Sequence, residues 1–331
     1  MMLHRMNGFP AALADAQLET IARVFAGPTL ISVKGEETDP LFLSVLLHGN
    51  ETSSFYVLKA LAERYRAARP PRSLLIFVGN IRAAEAGRRF MDDEPDFNRI
   101  WRGGDGAHAA MAAEVTAIAR DAGIFASIDI HNNTGDNPHY GCVNSLRAAD
   151  LHLASMFARV GVFYVIPNST QSIAFSQFCP AVTLECGKSG DREGVAKAIS
   201  LVEETMRLKE FPAHPPPLDA LQLYETVGRV VVNPARSFSF GGAEADLILA
   251  AGLEKMNFKD AAAGFVWARR LAKKDAISVV NEHGDDLTGE FFEAANGGLV
   301  LRRPVTPAMI SDNERAIRQD CLCYLMTPVA A

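Results

Sequence analysis

A histidine and a glutamate, three residues apart, follow an unbroken apolar run. The stretch from Pro40 to Leu47 leads into His48-Gly49-Asn50-Glu51, and imidazole and carboxylate groups bind zinc or transfer protons in many enzymes. The His-x-x-Glu spacing alone is a weak signal, because a chain with eight histidines can match it by accident. A turn with Glu51 at a helix N-terminus is an equally good interpretation of these two residues alone.

A second segment, Phe125 to His131, favours the chemical interpretation. On a strand, alternate side chains share a face, so Ser127, Asp129 and His131 lie on one side of a segment that is otherwise apolar. A polar row on a buried strand needs partners. His131 is a candidate third ligand, and Asp129 or a backbone carbonyl would accept the hydrogen bond that orients its ring. A hydrogen-bonded core histidine is the alternative.

Two histidines and one glutamate form an open zinc site, in which water occupies the fourth position. Such a metal polarises a carbonyl and lowers the pKa of its water to about 7, so a hydrolase would further need a base and an anion stabiliser. Glu185 ends the apolar segment Ala181 to Leu184. As a general base it would take a proton from the water and give it to the leaving amine; an exposed carboxylate at a strand end is the alternative.

The loop from Arg88 to Arg99 places arginines among acidic residues. Most such arginines form surface ion pairs that contribute little. Arginine is also the side chain that binds a carboxylate through two parallel hydrogen bonds and stabilises a developing oxyanion. The loop is therefore a candidate source of both functions.

Four motifs in order, HGNE, GRRF followed by DFNRIW, DIHNNTG and TLECG, span residues 48 to 187. Together they resemble the succinylglutamate desuccinylase/aspartoacylase family, a branch of the zinc carboxypeptidase-like hydrolases. The resemblance implies one zinc ion per chain, held by His48, Glu51 and His131, with Glu185 as the general base. It further implies that Arg89 polarises the amide carbonyl and that Asn98 and Arg99 hold the free carboxylate of the substrate. The implied reaction is hydrolysis of an N-acyl amino acid, or a related small amide, and a homodimer is implied by the resemblance only.

The motifs also depart from aspartoacylase. The interval from Arg89 to Asn98 is about two residues longer than expected, with Glu94-Pro95 as the insertion, so Arg88 is an alternative to Arg89 in the pocket. Asn132, a further candidate for substrate binding, is followed by Asn133-Thr134 in place of Thr-Thr. No match was found for the late tyrosine of aspartoacylase, and Phe291-Phe292 lies in that region. These differences leave the acyl group and the amine open.

The elements that position these residues follow from periodicity. Helical spacing predicts helices near 14–25, 52–68, 107–122, 147–160 and 191–209, and apolar runs predict strands near 28–34, 40–47, 73–78, 125–130, 162–166 and 181–185. Apolar strands separated by helices indicate a parallel sheet that is covered on both faces. We therefore predict an α/β catalytic domain over residues 1–210, with a mixed, largely parallel central sheet and helices on both faces, as in zinc carboxypeptidase-like hydrolases.

The segment 211–217 contains Pro215-Pro216-Pro217 and is the expected linker. Short strand-like pieces near 227–232, 247–250, 263–267, 276–280 and 298–302 then predict a smaller, mainly β C-terminal domain over residues 218–331. We expect the active site to lie above the strand ends of the first domain, partly roofed by the second.

Composition excludes several classes of function. The formal net charge is −6 and the arginine pairs are scattered, so a surface for nucleic acid or an anionic membrane is not expected. The sequence shows neither a signal-peptide-like start nor a span of 18 apolar residues. Five cysteines without CxxC spacing indicate reduced thiols. We expect a cytoplasmic protein with a small-molecule substrate that carries a free carboxylate.

The hypothesis is a cytoplasmic zinc-dependent amidohydrolase, a deacylase. Two other functions compete with it: a carboxypeptidase that acts on short peptides, and a non-catalytic homologue that binds a metal or ligand. Assays with N-acyl amino acids and dipeptides distinguish the first two, and turnover distinguishes both from the third.

Overall fold

The structure, a computed structural model, describes residues 2–217, 219–281 and 283–329. It divides into two compact units: Met1–Asn132 with His139–Gln222 form unit 1, and Asn133–Pro138 with Leu223–Ala331 form unit 2. Residue 218, where we placed the start of the C-terminal domain, lies outside the described residues. The sequence did not predict that the chain leaves unit 1 directly after Asn132 and returns at His139.

Within the described residues, unit 1 has eight strands and six α-helices. The strands are β1 (His4–Asn7), β2 (Thr29–Val33), β3 (Glu37–Val45), β4 (Arg72–Val78), β5 (Ala126–Asn133), β6 (Tyr140–Val143), β7 (Val160–Phe163) and β8 (Ala181–Lys188). The helices are α1 (Ser53–Arg64), α2 (Ile81–Glu85), α3 (Ala107–Asp121), α4 (Ala148–Phe157), α5 (Gln171–Ser176) and α6 (Arg192–Arg207).

The strands of unit 1 are ordered β1-β2-β4-β3-β5-β8-β6-β7. β3 is parallel to β4 and β5, whereas β2 is antiparallel to β4 and β6 to β8. The Ser127 amide donates to the Pro180 carbonyl at one end of β5 and β8, and the Asn132 side chain donates to the Gly187 carbonyl at the other, so these strands run the same way. The carboxyl ends of β3, β4, β5 and β8 therefore lie at one edge, and the predicted mixed, largely parallel sheet is confirmed.

Helices cover both faces of this sheet. α3 and α5 pack on the face that carries Phe42, whose ring lies 4.4 Å from that of Phe175. On the other face, α1 and α4 both contact α6. α6 begins as predicted after Asp191, whose side chain accepts from the amides of Glu193 and Gly194 and so satisfies two donors of the first turn.

Some local predictions were wrong. The expected helix at 14–25 contains only the 3₁₀ segment Leu18–Arg23, and another 3₁₀ segment, Ala11–Leu13, precedes it. Thr20 leaves the helical conformation, and neither segment has a side-chain N-cap. The short elements α2, β6 and α5 were not predicted, since a few residues give too little periodicity.

Unit 2 is mainly β, as predicted. Its described residues form β9 (Gln222–Val232), β10 (Phe238–Phe240), β11 (Leu247–Leu249), β12 (Val266–Leu271), β13 (Ile277–Val280), α7 (Thr288–Phe291), β14 (Phe292–Ala295), β15 (Gly298–Leu301), β16 (Thr306–Ala308), α8 (Glu314–Gln319) and β17 (Cys323–Pro328). β17 pairs with β9 and β16, and β13 pairs with β9. A separate sheet has the order β10-β11-β12-β15-β14. Trp267, Val230 and Phe292 are buried in the core of this unit.

No helix among the described residues combines the length and the apolar character that a membrane crossing requires.

Candidate active site

The side chains of His48, Glu51 and His131 converge at the carboxyl edge of the sheet in unit 1. One potential ligand atom from each lies within 4.8 Å of the others, and all three residues are buried. His48 Nδ1 is 2.7 Å from Glu51 Oε1, and His131 Nδ1 is 2.6 Å from Glu51 Oε2. His48 and Glu51, three residues apart in the chain, thus meet His131 of β5, and this convergence agrees with the sequence prediction.

The turn that carries His48 and Glu51 is fixed by its backbone. Leu46 adopts a positive φ of 55°, and its carbonyl accepts a hydrogen bond from the amide of Asn80. Gly49 lies directly against α2, where an added Cβ would be 2.1 Å from the carbonyl carbon of Ala83. A side chain at position 49 would therefore push the turn that carries His48 and Glu51, here called the ligand turn, away from α2.

His131 is oriented from within the sheet. Its Nε2 lies 2.8 Å from Oδ2 of Asp129, two residues earlier on the same face of β5. Oδ1 of Asp129 accepts a hydrogen bond of 2.6 Å from the hydroxyl of Ser44 on β3. A proton on Nε2 that is donated to Asp129 leaves the Nδ1 lone pair facing Glu51, which is the tautomer that a metal ligand needs.

His48 has a comparable partner, but on a loop. Its Nε2 is 2.9 Å from Oδ1 of Asp96. The other oxygen of Asp96 accepts from Nε of Arg89 at 3.0 Å, and Nη1 of Arg89 is 3.7 Å from Glu51 Oε1. Asp96 thus orients a histidine and an arginine at the same time.

The charges in this cluster support one another. Burial alone would raise the pKa of Glu51, but His48 and His131 hold it well below its usual range. Burial alone would lower the pKa of His131, but Asp129 and Glu51 raise it well above the usual value. Burial would also raise the pKa of Asp96, which His48, Arg89 and Arg99 instead lower.

The cluster fits a divalent cation of the zinc type. Two imidazoles direct the same ring nitrogen towards one carboxylate, and each has its second ring nitrogen on an aspartate, the pairing that commonly orients zinc-bound histidines. Three protein ligands leave a position for water or substrate.

Glu185 lies on β8, the neighbour of β5, opposite Tyr140 of β6. Burial raises the pKa of the Cys142 thiol, and the charges of Glu185 and Asp129 raise it further, which places both carboxylates near Cys142. Glu185 is itself buried. The sequence placed Glu185 at the end of its strand, and this was wrong: β8 continues for three residues to Lys188.

The structure distinguishes between the two neighbouring arginines. Arg89 lies beside Glu51 and Asp96, whereas Arg88 is 40% exposed and pairs with the exposed Asp92. Arg88 points to the surface, so this geometry favours Arg89 over Arg88 as the arginine of the pocket. Arg99 is partly buried, donates to the carbonyl of Asn98 and is close enough to Asp96 to lower its pKa.

The two asparagines that were predicted to bind substrate, Asn98 and Asn132, form hydrogen bonds within the protein. The Asn98 side chain accepts from the Gln171 amide, and its Nδ2 lies 3.2 Å from His131 Nε2. The Asn132 side chain accepts from the amide of Ser53 at the start of α1 and donates to the carbonyl of Gly187. Both side chains are buried and hydrogen-bonded within the protein, so they help to hold the site together; contact with a substrate stays a prediction for both.

Sequence reasoning missed Asp96 and Ser44. Asp96 is one of four acidic residues between positions 92 and 96, and nothing in residue type separates it from the others. Ser44 carried a weak signal, because it is a single hydroxyl within an otherwise apolar strand and should need a partner. Only the strand register, which pairs Ser44 with Asp129, identifies that partner.

Comparisons with known proteins agree with the fold. Three solved structures are similar over most of the chain. Succinylglutamate desuccinylase from Vibrio parahaemolyticus has a TM-score of 0.60 at 15% identity and covers 91% of this chain and 86% of its own. Murine aminoacylase 3 has a TM-score of 0.58 at 14% identity, covering 89% and 97%. The ectoine utilization protein EutE (DoeB) from Ruegeria pomeroyi has a TM-score of 0.58 at 17% identity, covering 91% and 88%. At these identities the similarity concerns the fold alone.

Comparison of the sequence with curated proteins found no significant match. A sequence profile of the succinylglutamate desuccinylase/aspartoacylase catalytic domain, however, matches residues 38–207, just over half of the 331 residues. The matched range contains all four motifs and every residue of the cluster. With this match and the shared fold, the resemblance found in the sequence is confirmed, and the chain belongs to the succinylglutamate desuccinylase/aspartoacylase family.

Proposed function

We propose that this protein is a zinc-dependent amidohydrolase that removes the acyl group from an N-acyl amino acid or a related small amide with a free carboxylate. The observation that carries the proposal is the buried His48, Glu51 and His131 cluster with Arg89 beside it. Family membership supports a deacylase, and the donor set supports zinc.

His48, Glu51 and His131 would hold the cation. Bound zinc would polarise the amide carbonyl and make a water molecule more acidic. The protein would supply the remaining groups: a base, a cation for the developing negative charge and a binding group for the substrate carboxylate.

Glu185 would act as the base. Glu185 is buried on β8, the strand next to β5, which carries His131. It would accept a proton from the attacking water and return it to the leaving nitrogen as the amide bond breaks.

Arg89 would stabilise the negative charge that develops on the carbonyl oxygen. Asp96 binds its Nε and Nη2, which holds Nη1 towards the cluster. Arg99 would bind the substrate carboxylate, since it is partly buried on the same loop and carries the planar guanidinium suited to that group.

We further propose that the protein acts in the cytoplasm. All five cysteines are buried and unpaired with one another, which is expected in a reducing compartment.

Replacement of the base tests the mechanism. Glu185→Gln should retain zinc, because the three proposed ligands are unchanged, but lose at least about 100-fold in kcat, the contribution expected of general acid–base catalysis. The matched control is Glu114→Gln on α3, which removes an exposed carboxylate that pairs with Arg5. This variant should keep wild-type turnover. Retention of activity within a few-fold in Glu185→Gln would contradict the assignment of the base.

A substrate panel tests the reaction class. Protein purified without added zinc is first analysed for bound metal, and released amine is then measured with N-acetyl, N-formyl and N-succinyl amino acids and with dipeptides. Preferred hydrolysis of an N-acyl amino acid supports a deacylase, and preferred hydrolysis of dipeptides supports a carboxypeptidase. A metal-loaded protein that hydrolyses none of these compounds would favour the non-catalytic homologue.

A further inference from the structure

Glu94 is a buried carboxylate within an otherwise surface loop. Among residues 87 to 96, which carry Arg89 and Asp96, Glu94 is the one residue that is buried. Its side chain is only 1% exposed. A buried carboxylate costs free energy unless hydrogen bonds compensate for the lost water, so its contacts indicate what it stabilises.

One oxygen of Glu94 accepts two hydrogen bonds. Oε1 is 2.5 Å from Nδ2 of Asn80, at the end of β4, and 3.0 Å from the amide nitrogen of Met91 in the loop itself. The loop is thereby closed on itself and attached to the sheet by the same atom. Hydrogen bonds to an ionised acceptor are among the stronger ones in proteins.

Asn80 connects this contact to the ligand turn. Its side-chain oxygen accepts from the amide of Ala83 and caps α2, and its backbone amide donates to Leu46, two residues before His48. α2 is also the helix against which Gly49 packs. Glu94 therefore connects, through Asn80, the loop that carries Arg89 and Asp96 with the turn that carries His48 and Glu51.

The adjacent acid has a different environment. Asp93 is 67% exposed and forms two hydrogen bonds of 3.0 Å with Arg82. Arg82 Nη1 also lies 3.5 Å from Glu94 Oε2. Two neighbouring carboxylates thus share an arginine, but only Glu94 contacts the sheet, which makes Asp93 a natural control.

We propose that Glu94 is a positioning residue, which fixes Arg89 and Asp96 relative to the metal cluster through its hydrogen bonds to Asn80 and Met91. The proposed consequence for turnover rests on the proposed function, whereas the consequence for loop order does not. The three metal ligands lie outside the loop, so the effect should be on the arrangement of the loop and not on the presence of the metal.

The test combines three variants with two measurements. Glu94→Gln keeps the shape and can keep an oxygen at the Oε1 position, but it removes the charge of the acceptor and turns an amide nitrogen towards Arg82. Asp93→Asn is the control. The double variant N80D/E94Q exchanges the amide and the carboxylate: the new carboxylate can still cap α2 and accept from the new amide, whose carbonyl can accept from Met91.

Hydrogen–deuterium exchange of peptides that cover residues 86–98 measures loop order, in metal-free and in zinc-loaded protein, with the α3 peptide as an internal reference. Glu94→Gln should exchange about 10-fold faster in the loop, because hydrogen bonds to a neutral oxygen are weaker than hydrogen bonds to a charged one. Asp93→Asn should stay within about 2-fold, and N80D/E94Q should return towards wild type.

Steady-state kinetics on the best substrate of the panel is the second measurement. Glu94→Gln should lower kcat by about 10-fold or more, because oxyanion stabilisation depends on exact placement, with zinc content unchanged and partial recovery in N80D/E94Q. Unchanged loop exchange in Glu94→Gln would overturn the proposal even if no substrate is found. Faster exchange with unchanged kcat would overturn the link to Arg89, and equal effects in Asp93→Asn would show a non-specific charge effect.

Discussion

The two histidines of the cluster have the same chemical partner in two different structural settings. His131 and Asp129 lie on β5, and Asp129 is fully buried and held by Ser44 of the neighbouring strand. Asp96, the partner of His48, lies on a loop, has a 13% exposed side chain and is shared with Arg89. The first pair is fixed by the ladder of a parallel sheet, and the second by side-chain contacts of a loop.

This difference suggests a division of tasks. A strand-borne ligand pair is rigid because neighbouring backbone hydrogen bonds fix both residues, so it suits the permanent part of a metal site. A carboxylate on a loop that binds both His48 and Arg89 can connect the geometry of the metal site with the arginine that we propose contacts the substrate. We therefore expect changes on the β5 side to affect mainly metal affinity and stability, and changes on the loop side to affect mainly turnover.

The largest effect should come from the residue that both sides share. Glu51→Gln removes the carboxylate that both Nδ1 atoms face, so zinc affinity should fall by more than the 10–100-fold typical of outer partners. Isothermal titration with a competing chelator measures the affinity, with Glu114→Gln as the control. Wild-type zinc affinity in Glu51→Gln would show that the cluster is not the metal site.

The next effect should be on the strand side. Asp129→Asn places an amide between Ser44 and His131 and removes a fully buried charge, so we expect zinc affinity to fall by about 100-fold, the upper end for such partners. The midpoint of thermal unfolding should also fall, because a buried network loses its acceptor. A variant with wild-type affinity and stability would contradict the rigid role given to this pair.

Asp96→Asn should have a smaller effect on the metal and a clear effect on catalysis. The loop can relax around the change, so we expect about a 10-fold loss in zinc affinity. Arg89 loses its ion-pair partner Asp96. At saturating zinc, kcat should therefore fall by a larger factor than the factor by which KM changes. If Asp96→Asn and Asp129→Asn give the same ratio of affinity loss to kcat loss, the proposed division of tasks is wrong.

The smallest effect should be a difference in pH dependence. In the metal-free protein Asp129 and Glu51 raise the pKa of His131 despite its burial, so this residue stabilises the fold at low pH and loses that contribution as the pH rises through the raised pKa. Zinc must displace the same proton, so zinc affinity should rise with pH until His131 is neutral.

Removal of the Asp129 carboxylate should shift the pH dependence of zinc affinity, and removal of the Asp96 carboxylate should not. In Asp129→Asn the rise in zinc affinity should begin at lower pH, whereas in Asp96→Asn it should stay close to that of wild type. Titrations at several pH values between about 5.5 and 8.5 measure the shift. An identical shift in both variants would show that the proton does not reside on the β5 side.

The catalytic unit could be predicted in outline because its signals are periodic. Apolar runs and amphipathic segments identified β3, β4, β5, β8, α1, α3 and α6, and polar residues at the ends of β3 and β5 gave the cluster. The sequence did not predict the short elements, and the reason is physical. α2 and α5 have five and six residues, and their stability comes from tertiary packing rather than from their own sequence. The segment Asn133–Pro138 was lost because its place in unit 2 depends on long-range contacts, such as the Met309 amide donating to Asn137.

The sequence by itself determined which groups are available: two imidazoles, several carboxylates and an arginine-rich loop, on a chain whose alternation and helical spacing predict a covered parallel sheet. Residue type and spacing are local properties, and both survive without a fold. The tertiary structure alone decided how these groups are used. In the folded protein Asp96, and not one of its acidic neighbours, contacts His48, and Arg89 lies beside the cluster whereas Arg88 lies at the surface. The side chains of Asn98 and Asn132 form hydrogen bonds within the protein. Strand register and loop closure decide these contacts, because the partners are distant in sequence.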